Sequence, residues 1–293
     1  MKIIDGKATA EAIKAELKHE VDQWVADGHR APHLAAILVG ENPASQSYVR
    51  NKIKFCEEVG YQSTLLQFSA DITEEALLLE VERLNQDATI DGYIVQLPLP
   101  KHINEEKINL AIDPRKDVDG FHPLNFGRMA LGLPTYLPAT PGGILELFKR
   151  YNIDTAGKKC VVLGRSNIVG NPMAILMAQK NSPGNSTVTI LHSRSQNLEE
   201  EIRAADILIA AIGIPHFVKA DWLKRGVVVI DVGINRIQGE DGKFRLVGDV
   251  DFDQAKELCS LITPVPGGVG PMTVTCLMMN TLKAAKKLIY PAN

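Results

Sequence analysis

The sequence predicts an α/β fold built as two domains. Short apolar runs alternate with amphipathic stretches along the chain, the pattern of a parallel sheet flanked by helices. Its 293 residues exceed the usual single domain of about 100 to 200 residues. Hydrophobic residues make up 45% and charged residues 23%, the balance of a chain that buries a core and does not stay disordered.

In the first half, strands are expected at Leu34–Val39, Ser63–Phe68 and Gly92–Gln96, with helices at Ser45–Val59 and Thr73–Gln86 between them. Asp71, Thr73 and Glu74 form a helix-start cluster. A further helical segment is expected near Asn104–Ile112. From Asp113 to Pro141 the chain is rich in Pro, Gly and isolated charges and loses periodicity, so it reads as an inter-domain linker or a functional loop. A second pattern begins at Lys158: a buried strand to Leu163, a glycine-bearing turn, a helix after Pro172, a strand at Thr187–Leu191 and a helix from Leu198. Strands at Asp206–Ala211 and Val227–Val232 follow, the succession of a nucleotide-binding βαβ domain. The chain then passes through the Gly/Pro-rich stretch Thr263–Thr273 into a terminal helix expected at Val274–Ile289.

Composition excludes several classes of function. The 32 Lys and Arg stand against 35 Asp and Glu, a net charge of −3, so no global basic field exists to hold a nucleic-acid backbone. The longest strongly apolar stretch, Ile207 to Ile214, is too short to cross a bilayer. Asp5 and Gly6 interrupt the place where a signal peptide needs unbroken apolar sequence, and Glu11 and Glu16 argue against a transit peptide, so a cytoplasmic location is expected. Cys56, Cys160, Cys259 and Cys276 lie far apart with no CxxC pair, which fits buried reduced thiols. His29 and His33 are separated by Pro32, and no histidines cluster with acids at ligand spacing, so no protein-bound metal is expected.

GRSNIVGNP, Gly164 to Pro172, follows a β-branched buried strand and precedes an apolar helical segment. It departs from GxGxxG, with Ser166 at the third position. The physical demand is unchanged, because a tight turn must bring backbone N–H groups and a helix N-terminus to a pyrophosphate. At the end of the next strand an NAD-preferring domain carries an acid for the ribose 2′-hydroxyl. Here the place reads His192, Ser193, Arg194, Ser195, with no acid to repel a 2′-phosphate, and with hydroxyls and a guanidinium to bind one; Arg165 is a second cation. NADP is therefore expected, against the plainer reading of a solvated polar loop.

SQSYVRNKIKF places Tyr48 and Lys52 four residues apart, on one helix face. A lysine moves protons near neutrality only if burial or nearby positive charge lowers its pKa from about 10.4. In isolation such a pair is usually a surface pair. DGYIVQLPLP ends an apolar strand with Gln96 and two prolines, which puts an amide at a strand's carboxyl end, where α/β sheets build sites. In KDVDGFHPLN, either Asp117 or Asp119 can cap a turn or accept ligand N–H groups, and composition does not choose between them.

Taken in order and over nearly the whole chain, SYVRNK, GYIVQLPLP, KDVDGFHPLN, GRSNIVGNP, DVGINR and PVPGGVGPMT resemble the bifunctional methylenetetrahydrofolate dehydrogenase/cyclohydrolase family. PVPGGVGPMT is the most specific of them. The resemblance implies an N-terminal α/β catalytic, folate-binding domain over 1–138, completed by a C-terminal helix over 271–293. It further implies a Rossmann-like NADP domain over 139–270, a folate cleft between the two, and a homodimer. The substrates implied are tetrahydrofolate one-carbon derivatives: 5,10-methylenetetrahydrofolate is oxidised with NADP to the methenyl cation, which is hydrolysed to 10-formyltetrahydrofolate.

Residue by residue, the resemblance implies that Lys52 is the catalytic lysine, that Tyr48 stacks on the folate and helps orient Lys52, and that Gln96 hydrogen-bonds Lys52 and helps tune it. Asp119 would bind the pterin's amino and ring N–H groups. Leu97 and Pro98, with Pro264, Gly267, Gly268 and Thr273 of the Pro264–Thr273 segment, would contact substrate. On the cofactor side it implies Gly164, Arg165, Ser166, Ile168 and Gly170 in the phosphate turn, Arg165, Ser193 and Arg194 at the 2′-phosphate, and Ile234 of DVGINR near the dinucleotide. Two rival readings are a short-chain-type reductase using Tyr48 and Lys52 as its YxxxK pair, and a catalytically silent folate or NADP binding protein. The order argues against the first, since the pair precedes the glycine turn; intact Tyr48, Lys52, Gln96 and Asp119 argue against the second.

Overall fold

The structure, a computed structural model, describes residues 2–239 and 242–291. The outermost ends of the expected domain ranges, Met1 and Ala292–Asn293, lie outside the described residues. In chain order the elements are β1 (Lys2–Ile3), α1 (Gly6–Ala26), β2 (His33–Val39), α2 (Pro43–Val59), β3 (Gln62–Phe68), α3 (Glu74–Gln86) and β4 (Gly92–Val95). Next come α4 (Glu105–Ala111), α5 (Pro123–Ala130), α6 (Ala139–Arg150), β5 (Lys159–Leu163), α7 (Gly170–Ala178), β6 (Thr187–Leu191) and α8 (Leu198–Arg203). The chain continues through β7 (Ile207–Ala210), β8 (Val228–Asp231), β9 (Asn235–Gln238), β10 (Phe244–Val247), α9 (Phe252–Ala255) and β11 (Leu261–Ile262) to α10 (Val269–Ala285).

The chain divides into two compact units, one of residues up to Glu11 with Thr140–Thr273, the other of Ala12–Ala139 with the chain from Val274 on. In the second unit β2 lies between β3 and β4 in a three-stranded sheet whose pairings are all parallel. Six of the seven residues of β2 are buried, which is why HLAAILV reads as an apolar run and not as an alternation. Ala35, Ile37 and Val39 pack with Leu77, Val81 and Leu84 of α3 and with Tyr93 and Ile108. The last part of α10 belongs to this core: Tyr61 donates its hydroxyl to Met278 O at 3.0 Å, and Asn280 Nδ2 donates to Val118 O and Leu137 O, each at 2.9 Å.

The first unit holds a parallel six-stranded sheet in the order β1-β11-β8-β7-β5-β6, with β9 and β10 as a separate antiparallel hairpin. Its core joins Val161 and Leu163 to Leu208, Ala210 and Val229. Each such side chain removed from water contributes about 1.5 to 3 kcal/mol, which sets these strands ahead of any local propensity.

Several expectations need correction. The stretch Asp113–Pro141 is not structureless: it contains α5 and the start of α6. Pro123 and Gly127 hide α5 in the sequence, yet Pro is at home in a first helical turn and His122 caps it, Nδ1 accepting from Leu124 N at 3.0 Å. The helix expected after Pro172 begins at Gly170, and the terminal helix begins at Val269, inside the Gly/Pro-rich stretch. The β9–β10 hairpin and the long α1 carry no element in the sequence reading. All four cysteines are buried and none is in a disulfide, and burial pushes the Cys56, Cys160 and Cys259 thiols up to about 12. Among the described residues no helix is long and apolar enough to cross a membrane, and no group of three His, Cys, Asp or Glu is placed to hold a metal ion.

Candidate functional site

Open α/β sheets bind ligands at the carboxyl ends of strands, where the chain leaves a central strand to opposite sides. The three-stranded sheet has that point between β2 and β4, and the six-stranded sheet has it between β5 and β7. Each unit carries part of the expected site at its own switch point.

In the β2–β4 unit, Asn42 starts α2 by accepting from Ala44 N and Ser45 N at 3.0 and 3.1 Å, with Pro43 in the first turn, and Gly60 at φ 83° ends it. Ser45, Val49, Cys56 and Val59 form the buried stripe of this helix. Lys52 falls on that stripe, between Val49 and Cys56 at the three- and four-residue spacing that shares a face. The amine is thereby drawn out of water. Its Nζ donates to Gln96 Oε1 at 3.0 Å. Burial lowers its pKa, and the Asp119 carboxylate opposes that shift. For Asp119 the roles exchange: burial raises its pKa and the Lys52 charge lowers it. An amine so placed gives up a proton more readily than one in water.

Gln96 follows β4 directly. Its N–H donates to Ile37 O at 2.9 Å and its Nε2 to Leu97 O at 2.8 Å, which turns Oε1 toward Lys52. Leu97 is half-buried and Pro98 exposed. Tyr48, one turn before Lys52, is 46% exposed, leaving an aromatic face open beside a buried amine.

The structure separates the two aspartates that composition left equivalent. Asp117 is buried and accepts from Gly120 N, Phe121 N, His122 N and Asn125 Nδ2 at 3.1, 3.2, 2.8 and 2.8 Å. Burial pushes its carboxyl up to about 7 against those donors. Asn125 in turn accepts from Tyr290 Oη at 2.7 Å and Thr135 Oγ1 at 3.0 Å. Asp117 thus builds the turn, while Asp119 takes no part in this network and is left for Lys52 or a ligand.

In the other unit, Gly164 ends β5 at φ 129°, and a Cβ there would meet Ala211 O at 2.2 Å. At Gly170, the first residue of α7, a Cβ would meet Gly164 O at 2.3 Å. Side chains at either place would fill the space the backbone uses to fold back on itself. Ser166 Oγ accepts from Val169 N at 3.1 Å and Gly170 N at 3.4 Å. Arg165, Ser166, Asn167 and Ile168 are exposed, and their N–H groups meet no protein acceptor among the described residues. Past β6, His192 N donates to Ser195 Oγ at 3.0 Å, closing a turn that leaves Ser193 and Arg194 exposed. Free N–H groups, two guanidiniums and no carboxylate in either turn fit a phosphorylated dinucleotide.

Pro264, Gly267 and Gly268 line a cavity of about 160 Å³ together with Asp231 and Ile234. Thr273 sits on α10 with its hydroxyl 2.9 Å from that of Thr140. A larger cavity of about 1070 Å³ in the β2–β4 unit, lined by Arg30, Lys116 and Arg128 among others, holds none of the expected site residues. Three of the cations lining it are engaged: Arg30 with Asp91, Lys116 with the carbonyls of Leu84 in α3 and Asp87 just past it, and Arg128 with Pro134 O. They cap carbonyl groups and balance a buried acid.

No sequence motif marks Asp231, Asn235 or Asp249 themselves for the site. A carboxylate ending the apolar run VVVID is the signal the sequence carries, since a buried acid needs donors from elsewhere in the chain.

A family model described as "Tetrahydrofolate dehydrogenase/cyclohydrolase, catalytic domain" matches residues 4–119, and one described as the NAD(P)-binding domain of the same enzymes matches 138–289. The chain is 60% identical over 292 residues to "Bifunctional protein FolD" of Phocaeicola vulgatus, covering 99% of this chain and 100% of that one. Among solved structures it is similar to the bifunctional FolD enzyme of Campylobacter jejuni, with 46% identity, a TM-score of 0.93 and coverage of 98% and 99%. It is also similar to the FolD enzyme of Trypanosoma brucei complexed with NADP and an inhibitor, with 38% identity, a TM-score of 0.91 and coverage of 99% and 98%. With two domain models accounting for most of its length and relatives aligned end to end, the chain belongs to the tetrahydrofolate dehydrogenase/cyclohydrolase family.

Proposed function

We propose that this chain oxidises 5,10-methylenetetrahydrofolate to the 5,10-methenyl cation with NADP, and then hydrolyses the cation to 10-formyltetrahydrofolate. The observation that carries the reading is the desolvated Lys52 amine held 3.0 Å from Gln96 Oε1, in the part of the chain matched by the catalytic-domain model. Folate chemistry is assigned to 1–138 with 271–293, and the dinucleotide to 139–270.

When bound, NADP would supply the hydride acceptor for the methylene carbon, so the protein's task in the oxidation is alignment. In the hydrolysis, a C–O bond forms between water and the methenyl carbon while the water's proton passes to neutral Lys52. That proton is then delivered to N5 as the C–N5 bond breaks, while the carbinol hydroxyl releases its remaining proton to solvent to form C=O, leaving the formyl group on N10 and one proton released overall. A lowered amine pKa suits both transfers, and general acid–base help of this kind contributes about 10² to 10⁴ in rate. Gln96 orients Lys52, Tyr48 offers a ring face to the pterin, and Asp119 accepts from its N–H groups. Leu97, Pro98, Pro264, Gly267, Gly268 and Thr273 complete the substrate contacts. Gly164, Arg165, Ser166, Ile168 and Gly170 hold the phosphates, Arg165, Ser193 and Arg194 the 2′-phosphate, and Ile234 lies near the dinucleotide. The working form is proposed to be a cytoplasmic homodimer.

Purified protein given 5,10-methylenetetrahydrofolate with either NADP or NAD tests this. Reduced NADP should appear first, faster than reduced NAD, followed by the decay of methenyl absorbance into formyl product. Absence of dinucleotide reduction would remove the dehydrogenase reading, and methenyl product that persists at its uncatalysed rate would remove the cyclohydrolase.

A further inference from the structure

Two buried carboxylates behind the dinucleotide turn remain outside the functions assigned so far. Asp231 ends β8 at 2% exposure, and Asp249, just past β10, is wholly buried. Asp249 Oδ2 accepts from Ile212 N at 2.7 Å and Gly213 N at 2.9 Å, the loop that leaves β7. Its Oδ1 accepts from Asn235 Nδ2 at 2.8 Å, at the start of β9. Asp231 takes the next layer: Oδ1 accepts from Gly233 N at 3.0 Å and Asp249 N at 2.9 Å, and Oδ2 accepts from Val250 N at 2.9 Å. Neither carboxylate has a cationic partner among these contacts.

The glycines beside them are glycines for want of room. A Cβ at Gly233 would meet Asp249 Oδ1 at 2.2 Å, and one at Gly248 would meet Asp231 Oδ2 at 1.8 Å. The loops therefore close directly on the carboxylates. The same loops carry the proposed cofactor contacts. Ala211 O is the atom against which Gly164 packs, and Gly233 and Ile234 line the cavity with the Pro264–Pro271 segment. Fixing a loop before a ligand arrives saves the ordering cost at binding.

We propose that Asp249, backed by Asp231, is a positioning residue of the dinucleotide site: it locks the Ala211–Gly213 loop and the Gly233–Asn235 turn in the shape that receives NADP. This rests on the reading of the Gly164 turn and Ile234 as cofactor residues. The hydrolysis uses no dinucleotide, so the two activities report on the clasp separately.

The test compares the whole purified protein as wild type, Asp249→Ala, Asp249→Asn and Asn235→Ala, with NADP titrated by calorimetry and hydrolysis of the methenyl cation measured without dinucleotide. Asp249→Ala is expected to raise the NADP dissociation constant at least tenfold while hydrolysis stays within about twofold. Asp249→Asn keeps an acceptor toward Ile212 and Gly213 and should restore binding to within about threefold. Asn235→Ala removes a single tie and keeps the carboxylate; a rise of about threefold is expected even where Asp249→Ala does not fold. Unchanged NADP binding in Asp249→Ala, or in Asn235→Ala where Asp249→Ala fails to fold, overturns the assignment. So do parallel losses of binding and hydrolysis, which are the mark of a structural role. A wild type that hydrolyses the cation but does not bind NADP overturns the functional reading, and this one with it.

Discussion

Lys52 shows how a helix position becomes a chemical one. It occupies a buried stripe otherwise filled by Ser45, Val49, Cys56 and Val59, so its ammonium form is disfavoured, while Gln96 offers a neutral acceptor in place of a counter-charge. Asp119 supplies some opposing charge without cancelling the effect of burial. Substituting Lys52→Met keeps the apolar stem and removes the proton carrier. Hydrolysis should fall by about 10² or more with the far-ultraviolet circular dichroism unchanged, and normal turnover would reject the role. Gln96→Glu replaces the neutral acceptor by an anion and favours the charged amine. The pH limb on which hydrolysis rises with Lys52 deprotonation should then move to higher pH, and a pH-rate profile that stays in place would show that Gln96 does not tune the lysine.

At the scale of elements, the β5–α7 connection depends on backbone proximity. Gly164 combines a left-handed φ of 129° with contact between its backbone and Ala211 O, so a side chain there suffers both strain and collision. Gly164→Ala should lower stability by about 3 kcal/mol or more, measured by urea unfolding, and NADP affinity should drop with it. A midpoint within error of wild type would mean that the turn relaxes freely. The turn built on Asp117 works by another device. Four donors converge on one carboxylate, and Asn125 passes the link to Thr135 and Tyr290. That frame leaves Asp119 its freedom.

Across the whole molecule, two buried acids give stability a pH dependence of unusual sign. Asp117 and Asp231 are each raised from 3.8 to about 7 in the fold. Between those values the folded state holds protons that the unfolded state has released. Their contribution is therefore fully present below about pH 4 and is lost as pH rises through about 7. Asp231→Asn fixes the neutral form. The stability difference between wild type and this variant should be larger at pH 5 than at pH 8 by about 2 kcal/mol, from urea unfolding at both values. An equal difference at the two pH values would show that Asp231 titrates alike folded and unfolded.

The α/β class, most of the parallel strands and the place of the glycine turn are legible in the amino-acid order alone, because buried strands must be apolar along their length and a phosphate turn must spare its side chains. That order also determined Tyr48 and Lys52 as a pair, since helical spacing is local. Through family resemblance it named Gln96 and Asp119. Tertiary structure alone decided that Asp117 and not Asp119 builds the turn, that Lys52 is desolvated, that α5 lies in a stretch without visible periodicity, and that Asp231 and Asp249 tie three distant loops. Those outcomes depend on which donors and apolar side chains arrive from elsewhere in the chain, and long-range burial leaves no period in the sequence to read.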